Sequence, residues 1–228
     1  MQQISQQLQQ VIQRIHQACD KAGRKADEVQ LLAVSKKQDC TAIRTAFVAG
    51  QHHFGENYVQ EALEKIEQLN DLDISWHLIG ALQSNKTAEV ACHFSWVHSV
   101  DRLKIAQRLS NQRPKNLPAL NICIQVNIDD QQSKSGCQLN EVESLVNEIL
   151  LLPNLVLRGL MIIPQAGNYQ AFMQLANLRQ ELLTNIPNLS PSVFDTLSMG
   201  MSDDLEQAIM AGATMVRVGT AIFGKRQS

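Results

Sequence analysis

Eight short apolar runs, each separated from the next by a longer stretch, constrain this chain more than any other feature. They occupy residues 29–35, 52–54, 76–79, 94–99, 119–127, 156–162, 193–197 and 214–218. Their β-branched and aliphatic residues are those of strands buried on both faces. Between them, residues 41–49, 58–69, 103–109, 141–150, 171–183 and 203–210 carry helical periodicity. Strands that alternate with helices form a parallel sheet, because a parallel pair needs a long crossover. Ahead of the first strand, Ile4, Leu8, Val11, Ile12, Ile15 and Cys19 recur at helical spacing. Gly23 is placed to cap that helix.

Eight βα units in 228 residues predict an α/β fold, a single (β/α)8 TIM barrel that takes up the whole chain, 1–228, as one domain. The alternative is an open, doubly wound sheet. Against it, the turn after the first strand reads Ser35, Lys36, Lys37, Gln38, without the glycines a dinucleotide-binding fold places there. The sequence stops soon after the eighth strand, so the N-terminal helix is expected to cover the place of a closing helix.

Composition works by exclusion. A net charge of -2 gives no general attraction to nucleic acid or to a membrane surface. No apolar run approaches the roughly 20 residues of a membrane span, and the glutamine-rich start is unlike a signal or transit peptide. The five cysteines are scattered, odd in number and without a C-x-x-C pair, which argues against a disulfide framework and against zinc. A cytoplasmic protein with no metal site is expected.

On such a barrel the chemistry gathers at the C-terminal ends of the strands. Strand parity puts Leu32, Val34 and Lys36 on one face. If the first two fill the interior, Lys36 points into the mouth, where desolvation favours the neutral amine that attacks carbonyls; otherwise it is a surface lysine. In the run SMGMSDD at 198–204, Gly200 permits a tight turn and Ser202 or Asp203 suits an N-cap. A helix N-terminus there would suit a phosphate, with Gly219 and Thr220 beside it after the eighth strand; plain capping is the alternative. Arg217 interrupts an apolar strand on the face of Met215 and Gly219. Inside a barrel a guanidinium needs a carboxylate, a ligand or several carbonyls; outside, it would snorkel to solvent. His77 either lines the site or is a hydrogen-bonded core residue, and His52, His53 and His98 read as packing residues.

An amine, a phosphate cradle and an isolated arginine on one rim suit a phosphorylated aldehyde. With LLAVSK (31–36), FGENYVQ (54–60), WHLIGALQSNK (76–86), SKSG (133–136), RGLM (158–161), SMGMSDD (198–204) and MVRVGTAIFG (215–224), the chain resembles the YggS/PROSC family of pyridoxal phosphate homeostasis proteins. The barrel of that family is similar to that of alanine racemase. The resemblance implies pyridoxal 5′-phosphate (PLP) held as a Schiff base on Lys36. It implies a phosphate held by Ser198, Ser202, Gly219 and Thr220, and Arg217 facing the pyridine nitrogen. It places Asn57 close by, with His77 and Met161 as further lining residues. Members often carry a second lysine two positions on, followed by proline; Gln38 and Asp39 stand there instead. Lys134 is left as a candidate secondary amine, or as a solvated loop lysine.

Racemases and decarboxylases resembling this barrel have an added β domain, whereas only residues 225–228 follow Gly224 here. The expectation is therefore a monomeric, non-catalytic carrier in vitamin B6 homeostasis and amino-acid balance, with PLP and apo-forms of PLP enzymes as partners. The alternatives are a PLP-dependent racemase and a Schiff-base aldolase.

Overall fold

The strands are short because each crosses one narrow barrel wall. The computed structural model describes residues 2–129 and 135–224. Among these, eight parallel strands close in sequence order. They are β1 (Gln30–Val34), β2 (His53–Glu56), β3 (Ser75–Leu78), β4 (Trp96–Val100), β5 (Leu120–Gln125), β6 (Leu155–Met161), β7 (Thr196–Ser198) and β8 (Met215–Val218). The barrel closes through β1 and β8, with Gln30 opposite Met215 and Leu32 opposite Arg217. The open-sheet alternative is excluded.

The crossovers run through α2 (Cys40–Val48), α3 (Val59–Gln68), α4 (Thr87–His93), α5 (Leu103–Gln112), α6 (Val142–Leu150), α7 (Gln170–Asn185) and α8 (Leu205–Met210), after an N-terminal α1 (Gln2–Lys21). As expected, α1 lies over the seam: it packs on α2 and α8. Its stripe of Leu8, Val11, Ile15, Ala18 and Cys19 is buried. Gly23 ends it at φ +66°, in the left-handed region that a residue without Cβ reaches at little cost. A short helix does follow β8, contrary to expectation: α9 (Thr220–Phe223), also packed against α1.

All eight strands differ by one to three residues from their sequence-based limits, and two of the differences have a clear cause. Apolar Val193 and Phe194 precede β7 rather than forming it, because both amides donate to Ser190 O in a turn. Phe194 is buried there by packing, while Val193 is exposed. Conversely β2 runs on through Gly55 and Glu56, which pair with His77 and Leu78 of β3.

Two apolar cores result. Between strands and helices lies the larger one, with Phe54, Phe94, Phe172 and Phe194 wholly buried. Inside the barrel, Leu32, Ile79, Trp96, Cys123, Met161 and Met215 pack together with Val34 against them. The inward parity read for Leu32 and Val34 therefore holds.

Between β6 and β7 the backbones touch at Gly159 (φ +155°), where a Cβ would stand 1.8 Å from Thr196 O. Gly159→Ala is expected to destabilise the barrel by about 3 kcal/mol. The thermal midpoint should fall by roughly 6–12 °C for a domain of this size, read by calorimetry.

Candidate functional site

The local geometry begins with the turn that presents Lys36. Ser35 O accepts from Gln38 N at 3.0 Å, and Lys37 sits at φ +61°, an uncommon conformation for a residue with a Cβ. Buried charges on the outer side of the turn hold it there. Lys65 Nζ of α3 donates to Ser35 O (2.8 Å), Glu56 Oε1 (2.8 Å) and Glu61 Oε1 (2.6 Å). Ser35 Oγ also donates to Glu56 Oε1 at 2.6 Å, and Lys37 N–H to Glu61 Oε1 at 2.5 Å. Glu56 is wholly buried and Lys65 nearly so. Burial pushes the Glu56 carboxyl above its ordinary range, with Lys65 and Ser35 opposing that shift. Apart from Glu61 and Lys65, an i,i+4 pair on α3, these contacts do not follow from spacing, since Ser35 and Lys65 are thirty residues apart.

On the inner side, Lys36 lines a cavity of about 280 Å³ at the barrel mouth. Of the residues expected in the site, the structure brings Lys36, Asn57, Ser202, Arg217, Gly219 and Thr220 together around it. Gln38, Ile79, Ile163, Met201 and Asp203 also line it, and sequence reasoning missed them. Ile79 and Gln38 carried a signal, as they follow strand ends; Ile163 and Met201 carried none beyond their loops. Asn57 Oδ1 is buried without a hydrogen-bond partner, so this wall holds an acceptor that lacks a donor. The approach of Gly80 to Asn57 is so close that a Cβ there would meet Asn57 O at 2.1 Å.

Arg217 faces inward, as parity predicts, and is 4% exposed. Carbonyls and a hydroxyl answer its burial: Nη1 donates to Ser198 O (2.6 Å) and Ser198 Oγ (2.9 Å), and Nη2 to Ile162 O (2.7 Å). Desolvation brings its pKa down to about 10, so the guanidinium stays charged at neutral pH.

Four expectations need correction. Ser198 is wholly buried, and its Oγ is occupied by Arg217 and by His98 Nδ1 at 2.9 Å, so it supports the cavity from below. Met161, although it ends β6, is wholly buried in the barrel core with Ile79, Trp96 and Cys123 and does not line the cavity. His77 is wholly buried, stacked on Trp96 (centroids 5.3 Å apart, planes at 8°) and bonded to His53 and His98 rather than lining the cavity. That also removes His53 and His98 from the class of simple packing residues. Finally, the N-cap of α8 is Asp204, which makes no side-chain cap; its Oδ1 accepts from Met201 N at 2.6 Å. The loop is instead tied to α1, where Arg14 pairs with Glu206 (2.8 Å) and donates to Ser202 O (3.0 Å).

Asp39, at the position of the expected proline, caps α2 by accepting from Ala42 N at 2.7 Å. Lys134 lies outside the described residues. All five cysteines are free thiols. Among the described residues no His, Cys, Asp and Glu cluster suits a metal ion, and no helix is long and apolar enough to cross a membrane.

Compared with known proteins, residues 6–227 match the family described as alanine racemase, N-terminal domain. The chain is 54% identical over 228 residues to the pyridoxal phosphate homeostasis protein of Pseudomonas aeruginosa, covering 98% of this chain and 96% of that one. It is 49% identical to the protein of that name from Escherichia coli K12, with coverage of 99% and 98%. PipY of Synechococcus elongatus, solved with PLP bound, has a TM-score of 0.82 at 36% identity, covering 97% of this chain and 100% of that one. Alanine racemase from Corynebacterium glutamicum shares the fold, with a TM-score of 0.66 at 14% identity over 96% of this chain and 62% of that one.

The buried clamp leads to a pH-dependent expectation. Lys65→Met leaves Glu56 without its cation and should cost about 3–5 kcal/mol near neutral pH. The folded pKa of Glu56, already raised, then rises further, so the native state binds a proton more tightly than the unfolded one. Stability from this group is complete below its unfolded pKa and is lost as pH rises through the folded value. Urea unfolding of the variant should therefore show a smaller deficit at pH 5 than at pH 8.

Proposed function

The chain belongs to the pyridoxal phosphate homeostasis proteins, a family built on the alanine racemase N-terminal domain, and from that membership we propose that it holds PLP at its barrel mouth for delivery rather than catalysis. The observation that carries this is the meeting of Lys36, Arg217, Asn57 and Thr220 on one cavity. An amine for the aldehyde, a fixed cation for the ring nitrogen and hydroxyl and backbone donors for the phosphate match the functional groups of PLP. Lys36 is the covalent anchor. Ser202, Gly219 and Thr220 would hold the phosphate, and Asn57, in the loop after β2, would lie beside the cofactor.

When bound, PLP supplies a carbonyl carbon for amines and a pyridine ring that accepts electrons. Arg217 limits the second capacity. A guanidinium that stays protonated at neutral pH donates a hydrogen bond to the ring nitrogen without handing over its proton. So placed, Arg217 would leave the ring nitrogen unprotonated and the ring a weaker sink for a carbanion. The lining also supports a carrier: its titratable side chains among the described residues are Lys36, Asp203 and Arg217, with Asp203 exposed. Racemisation needs a second positioned acid or base across from the lysine. The protein acts as a cytoplasmic monomer, one domain over 1–228, and passes PLP to apo-enzymes.

Mixing the purified protein with PLP should produce a yellow species, and borohydride should fix the cofactor to Lys36, read by peptide mass. Lys36→Ala should remain colourless; a colourless wild type or a yellow Lys36→Ala overturns the assignment. Loss of one phosphate hydrogen bond in Thr220→Val should weaken binding about tenfold. Deuterium from solvent should not enter the α position of added amino acids at a catalytic rate; if it does, the chain is a racemase.

A further inference from the structure

The histidines excluded from the cavity form a file through the barrel. His53 Nδ1 is 3.1 Å from His77 Nε2, and His77 Nδ1 is 2.9 Å from His98 Nε2. His98 Nδ1 is 2.9 Å from Ser198 Oγ, which accepts from Arg217 Nη1 at 2.9 Å. Arg217 ends the file at the upper cavity, and His53 ends it at a second cavity of about 340 Å³. That lower cavity also contains Trp96 and Met215, from the starts of β4 and β8, and so lies at the opposite end of the barrel.

Hydrogen positions follow from counting donors. His77 and His98 are wholly buried, and burial holds both pKa values far below the ordinary range, that of His98 at about 3. Each ring is therefore neutral, with one donor and one acceptor nitrogen. Ser198 Oγ accepts from Arg217, so its own hydrogen goes to His98 Nδ1. His98 then donates from Nε2 to His77 Nδ1, and His77 donates from Nε2 towards His53 Nδ1 at 3.1 Å, with Ser75 Oγ a longer second partner at 3.3 Å. The file has one direction, from Arg217 to His53.

We propose that His53, His77, His98 and Ser198 are positioning residues in a relay through which the state of the lower cavity sets how Arg217 addresses its ligand. This rests on the assignment of Arg217 to the pyridine nitrogen. A proton gained by His53 turns its Nδ1 into a donor facing the His77 Nε2–H. The order that relieves this conflict is the reverse one, with His77 and His98 each carrying their single hydrogen on Nδ1. The added proton stays on His53, and the proton count of the other two rings is unchanged. Ser198 Oγ then accepts from both His98 and Arg217, its own hydrogen loses its acceptor, and the cooperative strengthening that its donation gave the bond from Arg217 is lost. The hold on the guanidinium weakens.

His53 is half-buried, and its pKa lies below the usual value of 6.5, first through desolvation and then through neighbouring His52. The other charged groups at its cavity are Arg24 with Glu28, Asp27, and the Arg158–Asp195 pair. The reversal therefore occurs on the acid side of pH 6.5.

Two measurements test this. Nitrogen-15 NMR of the apo-protein should show His77 and His98 protonated at Nε2 at pH 7, and at Nδ1 once His53 is charged. Finding Nδ1–H on both at pH 7 overturns the relay without reference to PLP. In the PLP-loaded protein, the absorption band should shift as His53 titrates. His53→Gln keeps an acceptor but does not titrate, so it should hold the neutral band throughout. If the wild type and His53→Gln share one pH profile, the relay does not reach the cofactor. If the wild type binds no PLP, the cofactor assignment fails instead, and the NMR result stands separately.

Discussion

Alternate residues of eight parallel strands must enter one narrow interior, and that interior has no bulk water to satisfy a polar group. Every functional position depends on this. Leu32 and Val34 fill the barrel, and the same parity carries Lys36 to its mouth. Met215 is in the core, Arg217 two residues on is at the floor of the cavity, and Gly219 is at its edge. A shift of one residue in either strand would move the amine or the guanidinium to the helix side.

The low-dielectric setting also explains why polar groups come in connected sets. Outside β1, Lys65 is shared by Glu56 and Glu61, and the three anchor the turn that carries Lys36. Inside, Arg217 is satisfied by Ser198 and Ile162, and Ser198 by His98. A buried group left alone would cost about 1–3 kcal/mol, and more if charged, so each added partner needs partners of its own. The two networks flank the site from opposite sides and make its geometry stiff. Asn57 Oδ1 and Glu56 Oε2, both buried without a hydrogen-bond partner, are exceptions beside the site.

Much of the fold was legible because burial leaves a periodic trace. The βα alternation, the cover over the seam by α1 and the inward strand faces all come from patterns within a few residues. Errors arose where apolar residues were buried by something other than a strand, as at Val193 and Phe194, whose amides close a turn on Ser190 O. The site was legible to the same depth. Lys36, Arg217 and Gly219 could be placed by parity, while His77, Met161 and Ser198 could not be separated from the lining, because position along a strand says little about depth below the rim.

The sequence by itself determined the element order, the barrel and the rim on which the amine, the arginine and the loop at 198–204 meet. These depend on local periodicity and on the even-numbered spacing of a strand. Only the tertiary structure decided what each side chain touches. His98 meets Ser198 across a hundred residues of sequence, and Lys65 reaches back thirty to the Ser35 carbonyl. Such contacts are made by barrel closure, which brings distant strands within hydrogen-bond distance and leaves no trace in the spacing of residues along the chain.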